Sequence, residues 1–484
     1  MRLSRLSPCV SPSFSSWIVT AAVILSLAGC AKNPATGQRQ LSLISEAQEV
    51  ELGRQAAQEA QQQIGLVRDP ELQQYVSRVG LALAAKSERP ELPWQFQVVD
   101  DPSPNAFALP GGFIFVTRGM LTLMTSEAEL ASVLGHEIAH VTARHSVNQI
   151  SKQQLAQIGL GLGGILFPTV QELSPAIGSG LGLLFLKYGR DDEREADELG
   201  FAYASAGGYN VSEFGDVFEA LGRASEGQAG ALPNWLASHP SSEERVKTAR
   251  ARAAATPPPP NAREGRDDFL RQIDGLVYGK NPRDGFFRDG TFYHPDLQFQ
   301  VRFPSGWQGQ NLTQAVVAAA PDGAAAVELT LVPATSAEEG LRRFATQQGL
   351  QVGAARRLTI NGLPAASAEF AAQAQQTAVR GLVIYVEHRE RVYQLVGYTA
   401  AQRFGAHSGA IVAALESFAP VRDASILNVQ PNRIEIVQLD RAQTLAEFAQ
   451  RYKSSIDVQQ LAVINHVPDT STRLPAGTLV KRVS

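Results

Sequence analysis

The length, composition and charge of this chain favour a multidomain globular protein and exclude a nucleic-acid partner. Its 484 residues exceed the usual size of one domain, and a hydrophobic fraction of 44% permits large cores. The 43 Lys and Arg residues are balanced by 47 Asp and Glu residues, so the formal net charge of −4 gives no basic footprint of the kind that nucleic acids require.

The first 29 residues have the pattern of a secretory signal peptide. Basic residues precede an apolar stretch from Trp17 to Leu27 that is too short for a stable membrane span. The following Leu-Ala-Gly-Cys ends at Cys30 and resembles the bacterial lipobox, which implies that Cys30 is lipidated and becomes the mature N-terminus. Ala31, in place of Asp, implies sorting to the outer membrane. An ordinary signal peptide is the alternative. We expect residues 30–45 to be a lipidated tether, with no other membrane-spanning segment in the chain.

Residues 46–252 are predicted to form a mainly helical domain with a small β-sheet. Helical periodicity runs from Ser45 to about Lys86, and the segment from Trp94 to Val99 alternates like a strand. In many zinc peptidases the strand beside the active site is a sheet edge that holds the peptide by main-chain pairing. We predict that this substrate-binding edge consists of Gly112, Phe113, Ile114, Phe115 and Val116. An ordinary buried strand is the alternative.

An H-E-x-x-H motif at His136, Glu137 and His140 is the most informative feature of the chain. Two imidazoles four positions apart on a helix differ by about 40° in rotation and about 6 Å in rise, so both can reach one metal ion. Glu137 lies about 100° around the helix, where a carboxylate can take a proton from a metal-bound water. Ser126, followed three residues later by Glu129, predicts a capping box at the helix start. We expect His145 to be a surface or supporting residue on the opposite side of this helix.

A third metal ligand is predicted in the acidic helix that begins near Lys187. Catalytic zinc sites usually have three protein ligands and an open position. Glu193, Glu195 and Glu198 are equal candidates by position, and a solvated acidic helix start is the alternative. Between this helix and the H-E-x-x-H motif, residues 155–186 contain two Gly-rich apolar runs that predict a helical hairpin, either near the site or dipping into a membrane.

Together these motifs resemble the zinc metallopeptidases that include HtpX and the CAAX prenyl endopeptidase, in particular their periplasmic BepA-like lipoprotein branch. The family pattern is H-E-x-x-H followed by E-x-x-A-D, and the match covers roughly residues 33–250. The resemblance implies one Zn²⁺ per chain, held by His136, His140 and Glu193. It also implies that Asp197 orients a ligand and that His239, in a Ser-His-Pro motif, faces the zinc. Arg245 takes the position of an Arg that the family places near the active site.

The resemblance stops after residue 250, where the helical repeats of the BepA-like proteins are missing. Residues 253–265 contain four consecutive prolines and predict a stiff linker. Residues 266–424 alternate like strands with two helices, which predicts an α+β accessory domain. Residues 430–484 resemble a small strand-helix-helix-strand LysM module, and they imply binding to peptidoglycan. Leu439-Asp440-Arg441 stands where that module usually has a Gly-Asp turn, so a packing domain is the alternative.

The fold class expected from these observations is multidomain, with a zincin-like metallopeptidase domain followed by the two smaller modules. The resemblance implies a zinc metalloendopeptidase on the periplasmic face of the outer membrane of a Gram-negative bacterium. Its substrates would be misfolded or misassembled envelope proteins. In this mechanism Glu137 is the general base, and His239 stabilises the oxyanion together with the zinc. The alternatives are a scaffold of outer-membrane assembly with little proteolysis and a peptidoglycan hydrolase.

Overall fold

The computed structural model describes residues 30–152, 188–226, 235, 239, 243–374 and 377–484. The chain divides into two compact units, of which the first combines the residues up to Leu276 with Ile434–Ser484 and the second is Val277–Arg433. These units differ from the predicted boundaries at 266–424 and 430–484. The second unit begins at Val277, and the segment predicted to be a LysM-like module belongs mostly to the first unit, because the chain returns to that unit after residue 433. The predicted signal peptide and the predicted hairpin at 155–186 lie outside the described residues.

The first unit is mainly helical, as predicted for the peptidase region. A hairpin of two short strands comes first, and a three-stranded sheet lies between the helices. The strands are β1 (Cys30–Lys32), β2 (Arg39–Leu41), β3 (Gln95–Val99), β4 (Ala106–Leu109) and β5 (Phe113–Thr117). The helices are α1 (Glu46–Gln63), α2 (Pro70–Ala84), α3 (Arg118–Leu123), α4 (Glu127–Thr142), α5 (Arg190–Ala206), α6 (Glu213–Glu226), α7 (Glu243–Ala255) and α8 (Arg266–Gln272). None of the helices in the described residues is long and apolar enough to cross a bilayer.

The helical segment predicted from Ser45 to Lys86 is two helices. Ser45 caps α1 in a capping box with Gln48, as its side chain accepts from the Gln48 amide. Asp69 then caps α2 by accepting from two backbone amides, and Pro70 occupies its first turn. The N-cap Asp69 and the first-turn Pro70 are both signals of a helix start, so they mark the break between the two helices. Apolar periodicity alone does not show this break.

The prediction that Gly112–Val116 forms a sheet edge is wrong. The strand order is β3-β5-β4, so β5 is the central strand, parallel to β3 and antiparallel to β4. All five residues of β5 are buried. Among the described residues, β4 is the edge strand that packs against α4. The sequence of β5 is apolar because both of its faces and both of its edges are covered.

The predicted linker is held against the first unit by backbone hydrogen bonds. The Arg263 amide donates to Gly208 O (2.8 Å), and its carbonyl accepts from the Asn210 amide (2.9 Å). The Glu264 carbonyl accepts from the Ala128 amide (2.9 Å) at the start of α4. The end of the Pro-rich segment is therefore part of the first unit.

The C-terminal module, residues 434–484, has the predicted order of strand, helix, helix and strand. Its strands β18 (Ile434–Gln438) and β21 (Leu479–Val483) pair antiparallel, and between them lie short strands and two helices, Leu445–Arg451 and Val458–Ile464. The ammonium of Lys481, which is fully buried, donates to Thr122 O (2.9 Å), Leu123 O (3.3 Å) and Met124 O (2.7 Å). The module is thus fixed to the C-terminal end of α3.

The second unit is rich in β-structure, as predicted for this part of the chain. Its larger sheet has the strand order β12-β14-β15-β16-β11-β10-β9, with β13 paired to β14, and a four-stranded sheet has the order β17-β8-β7-β6. The strands are β6 (Phe286–Arg288), β7 (Thr291–His294), β8 (Phe299–Arg302), β9 (Gln308–Asn311), β10 (Ala315–Ala319), β11 (Ala325–Val332), β12 (Leu350–Val352), β13 (Arg356–Ile360), β14 (Leu363–Ala374), β15 (Thr377–His388), β16 (Arg391–Ala400) and β17 (Ala419–Pro420). Its helices are α9 (Ala337–Ala345), α10 (Phe404–Glu416) and α11 (Ala424–Leu427).

Candidate metal centre

The helix that carries the H-E-x-x-H motif begins where the sequence predicts, although its cap differs in one bond. The Ser126 hydroxyl accepts from the Glu129 amide (3.1 Å), which is half of the predicted capping box. The Glu129 carboxylate turns instead to the amide (2.6 Å) and hydroxyl (2.9 Å) of Thr125. All residues of α4 are buried, so the motif lies inside the unit and not on its surface.

Two glycines allow α4 and α5 to lie close together. A Cβ on Gly200 would stand 2.8 Å from His136 N, and one on Gly135 would stand 2.9 Å from Gly200 O. Any larger residue would push the helices apart at this crossing. The close approach brings Glu193, in the first turn of α5, next to both histidines of α4.

Four buried side chains converge on one point: His136, His140, Glu193 and His239. Their candidate ligand atoms all lie within 4.8 Å of one another. His136 Nε2 is 3.0 Å from His140 Nε2 and 3.3 Å from His239 Nδ1, and Glu193 oxygens lie 3.5 and 3.6 Å from the two Nε2 atoms. A tetrahedral zinc with bonds of 2.0–2.1 Å separates its ligands by about 3.3 Å. The donor set and its spacing therefore fit Zn²⁺.

Glu137 lies beside this cluster and not in it. Its side chain is fully buried, and its Oε1 accepts from the Trp235 indole N–H at 3.3 Å. His239 Nε2 stands 3.7 Å from the same oxygen. Glu137 Oε2 has no hydrogen-bond partner among the described residues. One carboxylate oxygen is thus held by the protein while the other can receive a proton.

Asp197 and Arg245 support the cluster from the side of α5. Asp197 Oδ1 lies 3.0 Å from His136 Nδ1, and both Asp197 oxygens accept from the Arg245 guanidinium at 2.6 and 2.8 Å. Burial opposes ionisation, but the contact with His136 and the charge of Arg245 lower the pKa of Asp197 to about 2. The ionised Asp197 can therefore accept the Nδ1 proton and leave Nε2 for the metal. Arg245, which the sequence placed near the site by resemblance, also lies 3.0 Å from Glu193 Oε2.

The histidines differ in how their surroundings affect protonation. Burial, reinforced by the neighbouring imidazoles, holds the pKa of His140 well below its usual value. Burial also opposes the charge of His239, but Glu193 and Glu137 outweigh it and raise the pKa of His239. Burial raises the pKa of Glu193, yet His239 and His136 bring it below the usual value. A neutral imidazole and an ionised carboxylate are the forms that bind a metal.

His145 is buried beside the cluster, contrary to the surface position predicted from helical rotation. Helix α4 ends at Thr142, and Arg144 has a φ of 58°, so the chain turns before His145. His145 Nδ1 lies 2.9 Å from His140 Nδ1, and His145 Nε2 lies 3.2 Å from Glu195 Oε2. The residue is a supporting contact of a candidate ligand, which is the other role that the sequence left open.

Two residues of the site were missed from the sequence. Trp235 is fully buried, stacks on His239 with ring centroids 5.0 Å apart and bonds Glu137. Tyr188 stacks on His140 at 3.9 Å and bonds the Ser146 hydroxyl at 2.9 Å. The four-residue spacing of Trp235 and His239 was a usable signal, because it places both rings on one side of a helical turn.

Comparisons with known proteins agree with this geometry. The model of peptidase family M48 matches residues 70–253. The mitochondrial metalloendopeptidase OMA1 of Schizosaccharomyces pombe is 36% identical over 173 residues, which are 36% of this chain and 50% of that protein. The putative beta-barrel assembly-enhancing protease of Vibrio cholerae is 32% identical over 202 residues, 40% of this chain and 41% of that protein. The beta-barrel assembly-enhancing protease of Escherichia coli K12 is 28% identical over 232 residues, 46% of this chain and 47% of that protein.

This chain spans about half the length of these relatives. The residues matched by the family model lie in the first unit. Among solved structures, cyanobacterial PsbP from Synechocystis aligns with 27% of this chain and 91% of its own length, at 15% identity and a TM-score of 0.23.

Proposed function

We propose, because the model of peptidase family M48 matches residues 70–253, that this protein is a zinc-dependent endopeptidase. The observation that carries the proposal is the convergence of His136, His140 and Glu193 at zinc-ligand spacing, with the Glu137 carboxylate beside them. A zinc ion held there would lower the pKa of a bound water and polarise a peptide carbonyl. Two relatives are named beta-barrel assembly-enhancing proteases. On that basis we propose that the substrates of this protein are envelope proteins.

Each residue of the site has a role in this proposal. Glu137 accepts the proton of the attacking water through its unbonded Oε2 and delivers it to the leaving amine. Trp235 fixes the other oxygen, so the carboxylate does not rotate away. The charge of Asp197, whose Oδ1 lies 3.0 Å from His136 Nδ1, favours the proton on that nitrogen, which leaves Nε2 as the metal-facing atom.

His239 requires a separate role, because a site with four protein ligands leaves no position for water. Its Nδ1 lies among the ligand atoms, 2.9 Å from Glu193 Oε1 and 3.3 Å from His136 Nε2. We propose that His239 is a fourth metal ligand in the resting site. Hydrolysis then requires His239 to leave the metal, so that a water molecule can take its position. Once released, it can donate to the oxyanion, the role expected from the sequence.

The substrate is proposed to pair with β4 (Ala106–Leu109) and not with β5. Among the described residues, strand β4 lies at an edge of the sheet and pairs with β5 alone. It also packs against α4, the helix that carries His136 and His140. Pairing through main-chain groups selects extended polypeptide with little regard for side chains. Unfolded or misassembled proteins present such segments, whereas folded ones do not.

The test measures bound zinc per chain and casein cleavage in the parent and in three variants. Glu137→Gln is expected to keep one zinc and lose cleavage. Glu193→Gln is expected to lose both, while Glu198→Gln, whose side chain is 73% exposed on the same helix, keeps both. Removal of zinc with a chelator should abolish cleavage, and its addition should restore it. Cleavage by the Glu137→Gln variant, or a parent without zinc, would overturn the proposal.

The four-ligand cluster also favours a second candidate, a scaffold that seldom cleaves. A scaffold would show one zinc and no cleavage in the parent, and the Glu137→Gln variant would still rescue an envelope-assembly defect. An endopeptidase requires the same variant to fail in that assay. The two candidates therefore predict opposite results with one protein.

Location is the third part of the proposal. We propose that Cys30 is lipidated and anchors the protein to the periplasmic face of the outer membrane, and that the C-terminal module binds peptidoglycan. Metabolic labelling with a fatty acid tests the anchor, since Cys30→Ser should remove the label and release the protein from membranes. Sedimentation of the full chain with purified peptidoglycan tests the module, and a chain that stays in the supernatant would contradict it.

A further inference from the structure

The two histidines of the H-E-x-x-H motif have different partners on their non-metal nitrogens. His136 Nδ1 faces the Asp197 carboxylate at 3.0 Å. His140 Nδ1 faces another imidazole, that of His145, at 2.9 Å. His145 is only 2% exposed, so water does not substitute for this contact. The orientation of His140 therefore depends on what holds His145.

His145 is held by Glu195 and, through it, by the amino-terminal hairpin formed by β1 and β2. Glu195 Oε2 lies 3.2 Å from His145 Nε2, and Glu195 Oε1 accepts from Asn33 Nδ2 at 2.8 Å. Asn33 is 5% exposed and lies three residues after Cys30. A continuous chain of hydrogen-bonding groups thus joins a candidate metal ligand to the proposed tether.

The proton positions along this chain follow from the chemistry of each group. With His140 Nε2 on a metal, its Nδ1 carries the proton and donates to His145 Nδ1. His145 then carries its proton on Nε2, which donates to Glu195 Oε2. At the far end the orientation of the Asn33 amide is fixed, because its Oδ1 accepts from the amides of Ala35 (2.9 Å) and Thr36 (3.3 Å). Its Nδ2 is therefore the atom that donates to Glu195. Each donor in this series of hydrogen bonds, from His140 to Asn33, therefore meets an acceptor.

We propose that Asn33, acting through Glu195 and His145, is a positioning residue for the metal ligand His140. The segment next to Cys30 then helps to position a metal ligand in addition to its proposed role as a tether. This inference rests on the proposed function to the extent that it requires the cluster to bind zinc. It assigns His145, Glu195 and Asn33 a role in ligand geometry and no role in bond cleavage.

The first test compares zinc affinity in two variants of His145. Zinc dissociation constants are measured in the full chain by competition with a chromophoric chelator, without reference to cleavage. His145→Gln can still accept from His140 and donate to Glu195, so its affinity should stay within about threefold of the parent. His145→Leu has similar bulk and neither group, and it should weaken zinc binding about 10- to 100-fold. Equal affinities in the two variants would overturn the proposal.

The second test asks whether Asn33 acts through Glu195. Asn33→Asp keeps the Oδ1 that accepts from Ala35 and Thr36, so the turn is preserved, but it loses the Nδ2 donor and sets a carboxylate against Glu195. We expect it to weaken zinc binding about tenfold in the parent and to have no such effect in a Glu195→Ala background. Arg194→Ala is the control, because Arg194 is 66% exposed and bonds Asp191, away from the cluster.

The melting temperature of the zinc-free protein separates positioning from folding. Positioning predicts that Asn33→Asp reduces the rise in melting temperature on zinc addition and leaves the zinc-free value within about 2 °C of the parent. An additive effect of the two substitutions, or a loss confined to the zinc-free value, would overturn the inference. A parent chain that binds no zinc would instead refute the proposed function, so the two failures are distinguishable.

Discussion

Lys481 gives the sharpest test of how the C-terminal module is joined to the peptidase. Its ammonium is fully buried and donates to three consecutive carbonyls at the end of α3, those of Thr122, Leu123 and Met124. Three carbonyls match the three donors of a lysine ammonium. We predict that Lys481→Met, which retains the apolar stem and removes the donors, destabilises the first unit.

The expected magnitude follows from two opposing contributions. Hydrogen bonds from a charged donor contribute about 1.5–3 kcal/mol each, or roughly 5–9 kcal/mol for three. Burial opposes the charge and lowers the pKa of Lys481 well below its usual value, so desolvation offsets several kcal/mol of this. We therefore expect the free energy of unfolding to fall by about 3 kcal/mol.

Urea unfolding followed by circular dichroism measures this change in the full chain. Lys453→Met is the matched control, because Lys453 lies in the same module and its side chain is exposed. The control should shift the free energy of unfolding by less than about 0.5 kcal/mol. If Lys481→Met were as stable as Lys453→Met, the buried contacts with the α3 carbonyls would not stabilise the unit, and the reasoning would be wrong.

Three further predictions concern the helix α6 and the metal centre. Burial, with Glu129 nearby, raises the pKa of Glu213 from 4.5 to about 8, so the folded state binds a proton that the unfolded chain releases. The resulting stability is complete below pH 4.5 and is lost as the pH rises through 8. Glu213→Gln should therefore gain about 1–3 kcal/mol on the parent at pH 9 and nothing at pH 5, by melting temperature; equal differences at both pH values would contradict this. Trp235→Phe removes the donor to Glu137 and should lower kcat about tenfold with bound zinc unchanged; loss of zinc would show a different role. His239→Ala should weaken zinc binding if His239 is a ligand, whereas unchanged zinc affinity with a lower kcat would assign it to the oxyanion alone.

The part of the site that the sequence predicts best is the part that depends on one helix. His136, Glu137 and His140 lie within five residues, so the pitch of α4 alone decides their relative positions. Glu193 comes from a second helix, and position alone did not distinguish it from Glu195 and Glu198. The distinction depends on how α5 crosses α4, which is set by the contact of Gly135 with Gly200.

The errors have the same origin, since each concerns a contact between distant residues or a local break. The rotation of α4 was extended to His145, but the helix ends at Thr142 and the chain turns at Arg144. The apolar strand β5 is predicted as an edge, but it is paired on both sides, by β3 and β4, which both precede it in the chain. Apolar alternation shows that a strand is covered and does not show which strand covers it.

Residues near the two ends of the chain contact, directly or through intervening side chains, opposite ends of α4, the helix that carries His136 and His140. Lys481 and His466 hold the loop before α4, where His466 lies 3.0 Å from both Leu123 O and Glu129 Oε1. Asn33 bears on the other end of α4, through Glu195 and His145. The residues matched by the family model, 70–253, contain every candidate ligand and none of Lys481, His466 or Asn33. The residues matched by the family model therefore supply the donor set, and segments outside the match contact, directly or through other side chains, both ends of the helix that carries its two histidines.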